Sequence, residues 1–251
     1  VVGPVTRAFR LPKMGPKPTL AATAASFLAV LAAVHLAVAA TAVDDAPLPR
    51  LPHQDIPAVF AFGDSTLDTG NNNVLPTMVR ADHAPYGREF PGGAPTGRFS
   101  DGKLLTDYLV EVLGIKELLP AYRSGAANLT VADLATGVCF ASAGSGLDDA
   151  TATNAGVATF GSQLADFKQL LGKIGGRKAG KVVKKSVFLV SAATNDMMMN
   201  YYMLPSGRSK YTLEQYHDLL IGNLRTYIQV RISFLAPFLQ NIGKIELDCP
   251  H

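Results

Sequence analysis

The stretch PAVFAFGDSTLDTGNNN, residues 57–73, decides the fold. Its first half contains AVFAF at 58–62, a short apolar run of β-branched and aromatic residues with the composition of a buried strand. The run ends at Gly63-Asp64-Ser65 and gives way to a polar turn carrying three consecutive asparagines. Gly63 lets the chain turn sharply with no side chain in the way, and the Asp and Asn residues behind it can hydrogen-bond their own turn. A small hydroxyl, Ser65, is thereby placed where a buried strand opens into a loop.

Two further runs have the same character. GVCFA at 137–141 and SVFLV at 186–190 read as buried strands, each followed at once by small or polar residues. Between the strands lie helical periodicities: Leu104, Leu105, Tyr108, Leu109 and Leu113 after a cap at Ser100 or Asp101; Leu164, Phe167, Leu170 and Leu171; and Leu219, Leu220, Leu224 and Ile228 in a helix at 211–231. Strands alternating with helices imply parallel pairing with helices on both faces, an α/β fold built as an open three-layer α/β/α sandwich. In such sheets ligands bind beyond the carboxyl ends of the strands, which is where Ser65 falls.

The chain has 251 residues, 48% hydrophobic and 17% charged, enough for one sizeable core. Its formal charge is +3, but Arg7, Arg10, Lys13 and Lys17 precede every acidic residue, leaving +3 less four, or −1, on the remainder. That balance gives no broad electrostatic footprint for nucleic acid. The dense basic run KAGKVVKK at 178–185 reads as a solvated edge before a strand. Residues 1–13 carry no interpretable pattern. From Met14, a lysine, a long Ala/Leu/Val stretch and the small-residue end Ala40-Thr41-Ala42 form a secretory signal over 14–42, with a membrane anchor over 19–43 as the rival reading. Residues 43–54 are a Pro- and acid-rich linker, 55–231 the domain, and 232–251 an atypical tail. Secretion makes Asn128, in the sequon NLT, a candidate glycan site. The two cysteines, Cys139 and Cys249, are no disulfide framework, and Cys139 in GVCFAS reads as a buried free thiol.

Four blocks fall in order along the domain: FGDSTLDTGNNN at 62–73, PYGREFPGGAPTGRFSDGK at 85–103, GVCFASAGSGLDDAT at 137–151 and FLVSAATNDMMMNYY at 188–202. With these blocks the sequence resembles the plant GDSL esterase/lipase family of the SGNH hydrolases, over roughly residues 55 to 230. The resemblance implies a flavodoxin-like parallel sheet and secreted or vacuolar hydrolysis of lipid or other carboxylic esters, with no metal or organic cofactor; the signal reading of 14–42 leads to the expectation of no membrane span after cleavage. It implies Ser65 as nucleophile, Gly144 as the glycine whose N–H helps hold the oxyanion, with Gly146 the near alternative, and Asn195 as the amide completing the hole. The chemistry asks for this set, because an ester carbonyl gains negative charge as it is attacked and fixed donors stabilise it.

The blocks depart from the family in two places. Ala193 stands where Gly-x-Asn-Asp has its glycine. The Asp-x-x-His block of the family, which supplies the base and its partner, is expected after further strands and helices, so the resemblance implies a C-terminally incomplete chain. Asp248 and His251 in the ending DCPH have the required spacing without the usual flanking residues. His35, His53, His83 and His217 read as leader, linker, loop and helix residues. Met197 to Met199 with Tyr201 and Tyr202 read as packing of a following helix, and alternatively as an acyl-chain lining. Two functional readings stand side by side: a serine esterase acting through an acyl-enzyme, and a non-catalytic lipid- or glycan-binding relic of the same fold.

Overall fold

The computed structural model describes residues 56–125 and 128–239, with the side chains of all of these except Ser206 and residues 231–239. The segments expected to be leader, signal (14–42) and linker, with His35, His53, Cys249 and the pair Asp248 and His251, lie outside the described residues.

The centre of the fold is β1 (Val59–Gly63), buried along its whole length. It pairs in parallel with β2 (Val187–Ser191), Val59 opposite Val187 through to Gly63 opposite Ser191. On its other side runs the third expected strand, as an isolated parallel bridge between Ala61 and Cys139 and not as a regular strand. The Phe140 N–H donates to Ala61 O at 2.7 Å and the Ser142 N–H to Gly63 O at 2.8 Å. Two features shorten it. Gly137 turns the chain at φ 101°, where a Cβ would lie 2.0 Å from Val59 O. Beyond Cys139, a second bridge to Ala121 and the Asn71 side chain, which donates to both Cys139 O and Ala141 O, close the outer edge that another strand would occupy.

Alternation along β1 sends residues to two cores, as a strand covered on both faces requires. Phe60 and Phe62 pack with Phe140, Phe167 and Phe188, whereas Val59 and Ala61 pack with Leu67, Val110 and Leu119. The ring pairs are tight: Phe60 meets Phe167 edge-on at 5.3 Å and Phe62 stacks on Phe140 at 5.0 Å. Helices therefore cover both faces, and the expected α/β fold with a parallel sheet is what the chain forms. They are α1 (Leu105–Val112), α2 (Tyr122–Gly125), α3 (Val131–Ala135), α4 (Asp149–Ala155), α5 (Phe160–Ile174), α6 (Gly176–Lys185), α7 (Pro205–Arg208) and α8 (Leu213–Leu239), with a π-helix at Asp196–Met203.

Three local expectations need correction. Helix α1 is not capped by Ser100 or Asp101: it starts at Leu105, and the Asp107 carboxylate accepts the Leu104 N–H at 2.8 Å. The basic run at 178–185 is helix α6, with Ala179, Gly180, Val182 and Val183 buried and its lysines exposed. The lysines are solvated as expected, but they hid a short apolar stripe at helical spacing. Helix α8 begins behind a reciprocal cap, Thr212 N–H to Gln215 Oε1 and Gln215 N–H to Thr212 Oγ1, and runs past residue 231 to Leu239. Cys139 is a buried free cysteine whose thiol donates to Leu67 O. No helix among the described residues is long and apolar enough to cross a membrane.

Candidate active site

Gly63 ends β1 at φ 132°, and a Cβ there would lie 1.8 Å from Ser191 O. Only glycine permits that approach, which lets the Asp64 N–H donate to Ser191 O at 3.0 Å and ties the first block to the end of β2. The Thr66 hydroxyl adds a second tie, to Ser191 Oγ at 2.7 Å. The Gly63 carbonyl faces the second block and accepts from the Ser142 N–H and from Ser145 Oγ at 2.7 Å. Gln163 on α5, fully buried, engages both backbone groups of Gly63: its Oε1 accepts the Gly63 N–H at 2.9 Å and its Nε2 donates to Gly63 O at 3.0 Å.

Ser65 sits half-buried two residues beyond this anchored glycine. Asp64 beside it is buried, its Oδ1 accepting from the Thr66 N–H and hydroxyl. Burial raises the Asp64 pKa above the ordinary carboxylate value, against the pull of the Thr66 hydrogen bonds.

The second block is stapled to the first by side chains that follow Ser65. The Asp68 carboxylate accepts the Gly70 and Asn71 N–H groups of its own turn and, at 2.8 Å, the Ala143 N–H immediately before Gly144. Asn72 donates to Ala143 O at 2.9 Å and to Val79 O, and accepts from Ser142 Oγ. Gly144 then turns at φ 82° and remains half-buried. Gly146 is constrained differently, because a Cβ there would fall 2.1 Å from Asp196 Oδ1. The Asp196 carboxylate in turn accepts from Leu147 N–H, Asp148 N–H and the Thr151 hydroxyl, fixing the third block against α4. Burial raises its pKa, with the hydrogen bonds from Thr151, Leu147 and Asp148 opposing.

Asn195, half-buried, donates through Nδ2 to Ser145 O at 2.9 Å. Each pair of the three blocks is thus joined by hydrogen bonds at the carboxyl end of the sheet. Ala193, two residues earlier, has φ 87°, the one positive φ outside glycine among the described residues. Its family glycine is explained by that conformation.

Among the described residues no histidine hydrogen-bonds Ser65. The two described histidines, His83 and His217, are exposed; His83 bonds Ala84 O and lies edge-on to Tyr86. No group of three or more His, Cys, Asp and Glu residues suited to a metal occurs among the described residues. Sequence reading missed Gln163 and the cross-block roles of Asp68, Asn71 and Asn72. For Gln163 a signal was available, since it lies on the apolar stripe of α5 with Phe160, Leu164, Phe167, Leu170 and Ile174, where a polar side chain is out of place unless it has partners.

Residues 59–248 match the family described as GDSL-like Lipase/Acylhydrolase. Among curated relatives, three GDSL esterase/lipases of Arabidopsis thaliana are 46%, 45% and 47% identical over 178, 182 and 199 residues. These alignments cover 69%, 71% and 77% of this chain and 50%, 50% and 56% of the relatives. The chain therefore spans about half the length of the curated relatives it matches. No solved structure matches it. With a family match across most of its length and relatives at this identity, the chain belongs to the GDSL-like lipase/acylhydrolase family.

Proposed function

We propose that the chain carries the nucleophile and oxyanion-binding side of a serine ester hydrolase acting on lipid or other carboxylic esters. The observation that carries this reading is the convergence of three strand-end blocks: Gly63 O accepts from Ser142 and Ser145, and Asn195 donates to Ser145 O. Ser65 Oγ attacks the ester carbonyl, and the charge that forms on its oxygen is received by the Gly144 N–H and the Asn195 side-chain amide. The tetrahedral species collapses with loss of the alcohol, leaving an acyl-serine, and water then releases the acid. The hydroxyl proton needs a base. The Asp-x-x-His spacing of the family occurs at Asp248 and His251, outside the described residues.

Gly144 suits the donor role better than Gly146. It is half-buried, while the lack of a side chain at Gly146 is already accounted for by the approach of Asp196. Residues 14–42 are proposed to direct secretion, to the cell exterior or the vacuole, and Asn128, exposed in a turn, is proposed to carry an N-glycan. The second reading, a non-catalytic lipid- or glycan-binding relic, is favoured by one observation, that no described histidine reaches Ser65.

Hydrolysis of p-nitrophenyl butyrate by the chain, beside Ser65→Ala and Asn195→Ala, tests the proposal. Ser65→Ala is expected at background, and Asn195→Ala down about 10²–10³ in turnover, as for loss of one oxyanion donor elsewhere. Equal rates for the parent chain and Ser65→Ala would reject catalysis by this chain and leave the relic.

A further inference from the structure

Gly63 ends β1, and the turn that carries Ser65 departs from it. Having no side chain, it gains no rigidity from packing, and its backbone is the freest to move. Hydrogen bonds hold it instead. Its carbonyl accepts three donors: the Ser142 N–H at 2.8 Å, Ser145 Oγ at 2.7 Å and Gln163 Nε2 at 3.0 Å. The peptide leaving it is fixed at the other end as well, because the Asp64 N–H donates to Ser191 O at 3.0 Å.

Gln163 reaches further than Gly63. Its Nε2 also donates to Ser145 Oγ at 3.2 Å, and Ser145, the residue after Gly144, offers its carbonyl to the Asn195 amide at 2.9 Å. All the hydrogen-bonding groups of the Gln163 amide are engaged in this corner, Oε1 by one N–H and Nε2 by one carbonyl and one hydroxyl. The amide cannot be turned over, since a backbone N–H only donates and a carbonyl only accepts.

Packing does not account for this side chain. Phe160, Leu164, Phe167, Leu170 and Leu171 on the same helix fill the core with apolar groups, and methionine at 163 would do so without burying an amide. Pairing the Gly63 N–H needs Oε1 alone. Nε2 goes to a carbonyl that already has two other donors and to the Ser145 hydroxyl, so what it adds is a tie between the turn before Ser65 and the turn after Gly144.

We propose that Gln163 is a positioning residue for ester hydrolysis: through Gly63 and Ser145 it holds the nucleophile turn and the oxyanion turn at a fixed separation. The inference rests on the esterase reading of the site. Its effect is one of distance, because a displacement of about 1 Å produced away from the chemistry can cost about 10²-fold in rate.

Steady-state hydrolysis of p-nitrophenyl butyrate by the full chain, with Ser65→Ala as the blank, tests it. Gln163→Met keeps the volume and removes the hydrogen bonds. Ser145→Ala removes the hydroxyl but leaves Gln163 on Gly63 and the Ser145 carbonyl on Asn195. Each is expected to lower kcat about tenfold or more with KM within about twofold. The double variant should fall by less than the product of the two, because they remove one shared tie. Rates are taken per folded molecule, from melting curves on the same samples, so a residue that only stabilises the fold would leave kcat at the parental value. If Gln163→Met does not fold, the kcat of Ser145→Ala decides. Parental kcat in the folded variants, with the parent chain above Ser65→Ala, would overturn the positioning role and leave the esterase reading standing. A loss carried by KM, or effects that simply multiply in the double variant, would overturn it too. Equal rates for the parent chain and Ser65→Ala would remove the esterase reading and this inference with it.

Discussion

Ala193→Gly should make the protein more stable, although it deletes a methyl group from beside the core. Ala193 has φ 87°, a region where Cβ crowds the neighbouring carbonyl and which costs an L-residue roughly 1–2 kcal/mol. Glycine escapes that cost but loses roughly 0.5–1 kcal/mol more backbone freedom on folding, which leaves about 0.5–1 kcal/mol in favour of glycine. Against it stands the partly buried Ala193 methyl, packed at the margin of the larger core and worth about 0.4 kcal/mol at half burial. The expected net gain is about 0.1–0.6 kcal/mol, or up to about 2 °C in melting temperature for a domain of this size. Ala192→Gly is the internal control. Ala192 also packs at the core margin but has no positive φ, so the same exchange there should lower stability by roughly 0.5–1 kcal/mol. Thermal unfolding followed by far-UV circular dichroism gives both signs. If both substitutions lower the melting temperature, the strain assigned to Ala193 is not there.

Two further perturbations probe the scaffold. Arg98, 5% exposed, forms a bidentate pair with the fully buried Asp107 at 2.8 and 2.9 Å and also donates to Leu119 O and Thr69 O. Arg98→Ala should cost about 3–5 kcal/mol in urea unfolding, and the joint replacement Arg98→Met and Asp107→Asn less, because no lone charge stays buried and the asparagine oxygen still accepts the Leu104 N–H; equal losses would refute this account. Asp68 is pushed up to about 6 by burial, which outweighs the N–H groups of Ala143, Gly70 and Asn71 that favour its ionised form. The native state therefore holds a proton that the unfolded state has released between the ordinary value of 3.8 and about 6, so the stability contributed by this group is full below 3.8 and lost as pH rises through 6. Asp68→Asn should remove that slope: the stability of the variant relative to the parent should rise with pH across this window, beyond any constant offset, and a flat difference in urea midpoints would count against the assignment.

How far the sequence discloses this site can be followed through its asparagines. The strand and the sharp turn at Gly63 are local, written in a run of apolar residues and one glycine, and they are legible. The same local logic leads to the expectation that Asp68 and the asparagines satisfy their own turn. Asp68 does so through the Gly70 and Asn71 N–H groups. Asn71 and Asn72 do not: their amides reach Cys139 O, Ala141 O and Ala143 O, about seventy residues on. Period and propensity carry no information about a partner at that separation, and the family resemblance marked the block without giving the reason for it.

That long reach also explains why the second block can do without a regular strand. A strand between two others fills both edges with backbone partners, whereas the 138–142 segment has β1 on one side and, on the other, a single bridge to Ala121 and the side chain of Asn71. Because a side chain replaces part of the ladder, the chain is free to leave the sheet at Ala143 and turn at Gly144 instead of continuing the pairing. Asn71 therefore supplies part of what a neighbouring strand would supply elsewhere. Asn71→Ala should on this account disturb the second block before the first, with amide exchange rising at Ala141 to Ser145 while β1 and β2 stay protected. Uniform loss of protection across all three would mean that Asn71 acts through global stability alone.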